Sequence, residues 1–253
     1  METALYILVF VMGTAIFSFL NVVIYRLPRK EDFVRGRSKC PGCGHTLSFL
    51  DMIPILSWGV LLGRCRYCGA KISPRYPCIE ALGGIMAVAC CRAFGYEVYT
   101  VLAFAMCGAL TCGAFIDHDT MTIPDGVSIA VLLIGAVSIF FNHKLLWYEH
   151  IIGFFIISVF MLVLSLAIPQ AFGGGDIKLM AGCGMFLGWR NAVFAFFAAV
   201  VLGGFFAALQ MIRRKKGKKD LISFGPFLCV GVAVAMFVGD MVMDYYFGTL
   251  LGL

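Results

Sequence analysis

Charge is what this sequence has least of. Asp, Glu, Lys and Arg together make up 13% of its 253 residues, about half the share of roughly 25% found in globular proteins. Histidine is scarce too, with only His45, His118, His143 and His150. No HExxH occurs, so the helical zinc-protease motif has no support. So few polar groups exclude a disordered chain and a soluble domain, whose surface needs polar cover. What is abundant is apolar: 61% of residues are hydrophobic and the mean hydropathy is +0.95. That composition describes an integral membrane protein with several spans.

The first apolar stretch, residues 4–25, carries no charge and is long enough to cross a bilayer. Met1-Glu2-Thr3 lacks a basic region and no small-residue cleavage site follows, so a retained span is predicted rather than a cleaved signal peptide. Further stretches run over residues 77–94, 98–116, 126–141, 151–168, 179–189, 192–212 and 222–247. The piece at 179–189 is short and Gly-rich, as a half-helix or tilted span would be. Ten of the 20 Lys and Arg lie between Arg26 and Arg75, and six more in the run at 213–219. Eight spans with the N-terminus outside place both basic segments in the cytoplasm. The net charge of +6 then describes orientation and contact with anionic lipid headgroups, not nucleic-acid binding. The expected fold is an all-α polytopic membrane protein of about eight transmembrane helices. A first transmembrane helix (1–25) is followed by a small cytoplasmic zinc-binding insertion (26–76) between helices 1 and 2, then by a transmembrane domain (77–253).

Of the 11 cysteines, seven are scattered, mostly in spans where Cys acts as a small hydrophobe. The other four form Cys40-Pro-Gly-Cys43 and Cys65-Arg-Tyr-Cys68. Each pair brings two thiolates close enough to share one tetrahedral ion, and two pairs complete a four-cysteine zinc site. A reducing cytoplasm disfavours disulfides there. A closed shell of four thiolates leaves no open position, so the zinc is predicted to be structural, supplying folding free energy to a segment too small for a large core.

Two acidic segments meet the same predicted face. One runs from Phe115 through Asp117, Asp119 and Asp125; the other is Gly173-Gly174-Gly175-Asp176. Asp119 and Asp125 fit solvated helix ends, and Asp125, after Pro124, fits a helix cap. Asp117 and Asp176 invite more. Three glycines before Asp176 allow unusual backbone angles and close approach of another chain. Two carboxylates held a few Å apart share a proton, one acting as acid and the other as base toward water. That hydrolyses an amide without metal or covalent nucleophile. An ion or proton relay in a transporter uses the same pair equally well. The glycine loop lacks the GK[ST] ending of a phosphate-binding motif.

At these residues the sequence resembles the bifunctional type IV prepilin peptidases, a GxGD-type family of membrane aspartic proteases. Matching blocks come in order: residues 18–28 (Ser-Phe-Leu-Asn-Val-Val-Ile-Tyr-Arg-Leu-Pro), the two CxxC pairs with Ile53-Pro54-Ile55-Leu56-Ser57-Trp58 between them, and Arg75-Tyr76-Pro77-Cys78-Ile79-Glu80. The Asp117 segment, the loop at Asp176 and Phe224-Gly225-Pro226-Phe227-Leu228 follow. The resemblance implies an inner-membrane, multi-pass enzyme with Asp117 and Asp176 as catalytic acids at the cytoplasmic face. It implies cleavage of prepilins of type IV pili, or pseudopilins of type II secretion, after a glycine that ends a short basic leader. The freed amine is then methylated from S-adenosylmethionine, an activity associated with the cysteine-bearing insertion. Gly63, Arg75, Tyr76 and Glu80 are methyl-transfer candidates by motif position; a turn, a headgroup contact, a belt aromatic and a span-end acid account for them equally. The insertion is too short for a Rossmann domain. Two other function classes stay open from the residues alone: an ion-coupled transporter using Asp117 and Asp176, and a zinc-bearing membrane scaffold without catalysis.

Overall fold

The computed structural model describes residues 2–168, 171–213 and 223–250. Residues 214–219 of the basic run lie outside the described residues, as does Ile222, the predicted start of the last span. Every regular element among the described residues is helical: α1 Glu2–Arg26, α2 Leu56–Val60, α3 Arg75–Phe94, α4 Val98–Thr120, α5 Asp125–Phe141, α6 Trp147–Ala167, α7 Gly174–Ile212 and α8 Gly225–Tyr245. In lipid a backbone must satisfy its own polar groups, and apolar runs of this length do so as helices.

Each predicted stretch falls on a helix, but the helices are joined differently from the expectation. Six are long and apolar enough to cross a membrane, and α5 is a shorter apolar helix. The stretches at 179–189 and 192–212 form one run, α7, broken at Gly188. Gly188 has φ 76° and ψ 166°, a conformation that only glycine adopts without strain. The segment before the break, residues 174–187, is about 21 Å long at 1.5 Å per residue.

The chain forms two compact units, Met1–Phe104 and Ala105–Leu253. In the first, α1 packs along α3. Lipid tails are as apolar as side chains, so close backbone approach through small residues has to drive association. A side-chain carbon on Gly13 would lie 2.5 Å from the Gly83 carbonyl oxygen. One polar seam crosses this interface: Ser18 donates to Glu80 at 2.6 Å and Asn21 donates to the Tyr76 carbonyl at 3.2 Å. In the second unit α7 is central, lying against α5, α6 and α8. A carbon on Gly182 would come 2.8 Å from the Leu132 amide of α5. Buried His150 of α6 hydrogen-bonds the Met185 carbonyl of α7 through Nδ1 at 2.7 Å.

Candidate active site and metal centre

Asp117 lies one turn before the end of α4 and is 6% exposed; Asp176 lies in the first turn of α7 and is 8% exposed. Both sit in the second unit, where the end of α4 and the starts of α7 and α8 converge. Asp117 Oδ2 accepts from the Ser223 hydroxyl and, at 3.1 Å, from the Gly225 amide. Gly225 opens α8, so the positive end of that helix faces the carboxylate. Asp176 Oδ2 accepts the Gly173 amide at 3.2 Å and closes the start of α7. Its Oδ1 is buried and has no hydrogen-bond partner.

The glycines before Asp176 behave differently from the expectation. Gly173 has φ −72°, an ordinary extended conformation, and Gly174 and Gly175 are already helical. Gly175 is small for another reason: a carbon there would sit 3.0 Å from Ile123 Cβ and 3.2 Å from the Ile123 carbonyl oxygen. The α4–α5 turn therefore rests on the start of α7. That contact carries the end of α4, with Asp117, to Asp176.

Asp119 is exposed, next to exposed His118. Asp125 does not cap α5, as the sequence suggested; Pro124 holds the cap position and Asp125 is the first helical residue. Its side chain instead meets Lys178 Nζ at 2.7 Å, with both groups largely in the open. A pair this exposed contributes little stability and stands apart from the buried carboxylates. Sequence reasoning gave Ser223 and Gly225 no role; the polar, Gly-Pro start of an apolar run was the available signal. Cys112, Cys183 and Cys229 are buried, as small hydrophobes in spans would be.

The four insertion cysteines converge: their Sγ atoms all lie within 4.8 Å of one another. The two halves repeat one design. In the first, Cys40 N donates to the His45 carbonyl and Gly44 N to the Cys40 carbonyl; in the second, Cys65 N donates to Ala70 and Gly69 N to Cys65. Gly44 and Gly69 both have φ 70°, which turns each loop back. A bridge, Lys39–Thr46 or Arg64–Lys71, closes each knuckle. The amides of Cys43 and Gly42 point at Cys40 and hold its thiol down to about 7. Tetrahedral zinc with Zn–S near 2.3 Å needs sulfurs about 3.8 Å apart, and Cys40 and Cys68 are 3.8 Å apart. The donor set fits a metal ion. Asp51 ties the Phe49–Met52 turn to the second knuckle, accepting from Ser48, from Arg66 at 2.8 Å and from Tyr67 at 3.1 Å. The Ser48 hydroxyl is the first cause that holds its carboxyl down at about 2.

The remaining candidates all lie in the first unit. Gly63 has φ 69°, and a carbon there would press on the Trp58 ring at 2.9 Å. Arg75 begins α3. Tyr76, 39% exposed, and Glu80, 9% exposed, are one turn apart on α3. Both Glu80 oxygens are engaged, Oε1 by Ser18 and Oε2 by the Ile55 amide at 2.7 Å. Ile55 has φ 62° and ψ −51°, and Leu56 N donates to the Pro54 carbonyl across it. This is a γ-turn with positive φ, strained for any residue and most of all for a β-branched one. Glu80 pins that turn.

Comparison with known proteins gives a consistent result. Residues 11–94 match the family model described as Bacterial Peptidase A24 N-terminal domain, and residues 104–208 match that of the Type IV leader peptidase family. A relative from Myxococcus xanthus (strain DK1622), named prepilin leader peptidase/N-methyltransferase, is 36% identical over 81% of this chain, which spans 63% of its length. Relatives with that name from Aeromonas salmonicida (strain A449) and Bacillus subtilis (strain 168) are 31% and 29% identical, over 96% and 97% of this chain and 94% and 99% of theirs. No solved structure matches.

Proposed function

Because the chain belongs to the type IV leader peptidase family, with its prepilin peptidase and N-methyltransferase activities, we propose the following division of labour. Asp117 and Asp176 are the catalytic acid–base pair that removes the basic leader of a prepilin or pseudopilin. One carboxylate takes a proton from water, whose oxygen attacks the scissile carbonyl carbon. The other delivers its proton to the departing amine. The observation that carries this reading is the buried pair itself, with Asp176 Oδ1 left without a partner. Ser223 and Gly225 hold Asp117 in place, while Gly173 holds only the other oxygen of Asp176. The short first segment of α7 supports a site at membrane depth, since about 21 Å falls short of a hydrocarbon core of about 30 Å. The basic insertion argues for a site at the cytoplasmic face of the inner membrane, where a leader rich in Lys or Arg is retained. A transporter relay is less well supported, because the acids lie at helix ends.

The insertion serves the second activity. Its four cysteines are assigned to one structural zinc, which they alone ligate. S-adenosylmethionine is the methyl donor this reading requires, and it supplies an electrophilic methyl group to the freed amine. Gly63, Arg75, Tyr76 and Glu80 do not together fit as a donor pocket. Gly63 is closed by Trp58, and both oxygens of Glu80 are committed. Glu80 is better assigned as a positioning residue for the Ile55 turn. Glu80→Ala is expected to lower methylation at least about 10-fold while leader cleavage persists; Glu80→Gln, which keeps one acceptor, should recover part of it. Equal loss of both activities would show that Glu80 serves only the fold.

The direct test incubates a prepilin-type substrate with purified protein and S-adenosylmethionine, read by mass spectrometry. Loss of the leader followed by a methyl-sized gain is expected; an uncut substrate with folded protein would defeat the reading. A finer probe is Gly225→Ala. The new carbon would lie 2.9 Å from Asp117 Cγ and closer still to its Oδ2, so the carboxylate must shift. Displacement on this scale costs on the order of 10²-fold in rate. Cleavage kinetics within about threefold of wild type would show that the Gly225 contact does not set the position of Asp117.

A further inference from the structure

The insertion turns a group of large apolar side chains outward. Phe49, Leu50, Leu56, Val60 and Leu62 are each between 61% and 83% exposed. Leu56 and Val60 are four residues apart on α2 and share a face, and the Phe49–Met52 turn lies against α2. Single apolar residues on a surface need no explanation, but a patch of them marks an interaction site. Leu62 is the costliest member. It holds φ 49°, a left-handed backbone that bulky side chains rarely adopt and that Asn or Gly takes at less cost. Packing within the protein does not explain a leucine there, because its side chain is exposed. Local rules are broken in this way at functional sites.

Three observations bear on what covers the patch. The insertion is tied at both ends to helices long and apolar enough to cross a membrane, leaving α1 at Arg26 and entering α3 at Arg75. Its depth is set by Glu80, which accepts the Ile55 amide at 2.7 Å, one residue before Leu56. Glu80 lies five residues past Arg75 on α3, about 7.5 Å along the helix axis. A segment resting in a bilayer surface buries its apolar face about 5–10 Å deep, so α2 begins at that level. Tyr25 at the end of α1 and Tyr76 at the start of α3 are exposed aromatics, as found at membrane interfaces. The third observation is charge. Residues 26–75 hold ten Lys and Arg against three acids, and exposed Arg64 and Lys71 meet across the second knuckle, just beyond Leu62. Like charge opposes a basic leader or a second copy of the insertion as occupant and favours an anionic surface.

We propose that Phe49, Leu50, Leu56, Val60 and Leu62 seat the insertion on the bilayer itself, with their side chains among the upper acyl chains and the surrounding Lys and Arg against anionic phospholipid headgroups. The strained backbone at Leu62 is then offset by apolar burial in lipid rather than in protein. Glu80, by holding the Ile55 turn, fixes how deep the patch sits. The proposal concerns the first unit alone and holds whichever activity the insertion serves.

The test uses the full chain in nanodiscs of phosphatidylcholine, with or without phosphatidylglycerol. Leu56→p-benzoylphenylalanine places a photo-crosslinker in the patch, and mass spectrometry identifies what it captures. A phospholipid adduct is expected, in greater yield when phosphatidylglycerol is present. Adding Val60→Asp and Leu62→Asn to the same chain should lower that yield by about 10-fold or more, since two apolar side chains withdrawn from lipid are worth at least that factor. Both positions are exposed and Asn accepts the left-handed backbone at 62, so thermal melts should be unchanged. Leu62→Asn alone should give a smaller fall and keeps the test valid if the combined variant melts lower. An undiminished lipid adduct in both variants would overturn the patch as the anchor, and equal yields with and without phosphatidylglycerol would overturn the anionic partner. Capture of a second copy of this chain or of an added prepilin-type substrate in place of lipid, or no adduct at all, would overturn docking on the bilayer.

Discussion

Asp117→Asn and Asp176→Asn should each abolish leader cleavage, by about 10² to 10⁴-fold or to background, in a protein that still folds. Asparagine keeps the shape of the carboxyl group and can still accept the hydrogen bonds that Asp117 receives from Ser223 and Gly225. What it loses is the ability to take up and release a proton at the reacting centre, and positioned acid–base groups supply factors of that size. Methylation should vanish along with cleavage, since its acceptor amine exists only after the cut. Supplying a substrate already lacking its leader should restore the methyl gain in both variants. Time-resolved mass spectrometry of both substrates, with thermal melts as the folding control, checks this. Cleavage within about 10-fold of wild type in either variant would rule out the pair as the acid and base. Asp119 and Asp125 serve as contrasts: both are exposed, and Asp125 is paired with Lys178.

How far the chain declared this arrangement depended on the kind of signal. Asp117 and Asp176 stood out because two acidic segments meet one predicted face and three glycines precede Asp176. The cysteine pairs stood out because two ligands per knuckle is a spacing that few other constraints produce. The helical runs followed from hydropathy, yet their joining did not. Hydropathy dips around Gly188 to Asn191, which suggests a loop, while the backbone turns there with one positive-φ residue and continues as helix. The glycines before Asp176 were legible as small but not as to purpose. Gly175 is the one that accepts Ile123 against the start of α7, a contact between residues some 50 positions apart. The Ser223–Asp117 and Glu80–Ile55 hydrogen bonds were silent for the same reason. Each joins segments 106 and 25 residues apart, and local pattern carries no record of such partners. Asp125 shows the converse error: a local rule for caps was sound, but Lys178 offered the carboxylate a better partner and proline took the cap.

Removing the metal should separate the two activities. One zinc per chain is expected by direct metal analysis of the purified protein, and Cys40→Ser or Cys65→Ser should remove it. Those two cysteines are buried, at 5% and 6% exposure, so each change also leaves a hydroxyl among sulfurs that converge on one point. The insertion has little else to fold around. Phe49, Val60 and Leu62 are 80%, 78% and 83% exposed, and its internal contacts are small polar ones: the knuckles, the Asp51 cluster, the Trp58–Gly63 turn and the bonds from Arg26 to the carbonyls of Asp32, Gly36 and Arg37. Structural zinc binding is worth on the order of 10 kcal/mol in small domains, more than such contacts provide. Metal loss should therefore unfold the insertion, release Ile55 from its pinned turn and take methylation to background. Leader cleavage, assigned to Asp117 and Asp176 in the second unit, should continue at a rate within several-fold of wild type. A strong chelator should reproduce the split in the unmodified protein, and added zinc should reverse it. Methylation that survives in metal-free protein would detach the cysteine cluster from that activity, and parallel loss of cleavage would show that the peptidase unit depends on the insertion for its fold.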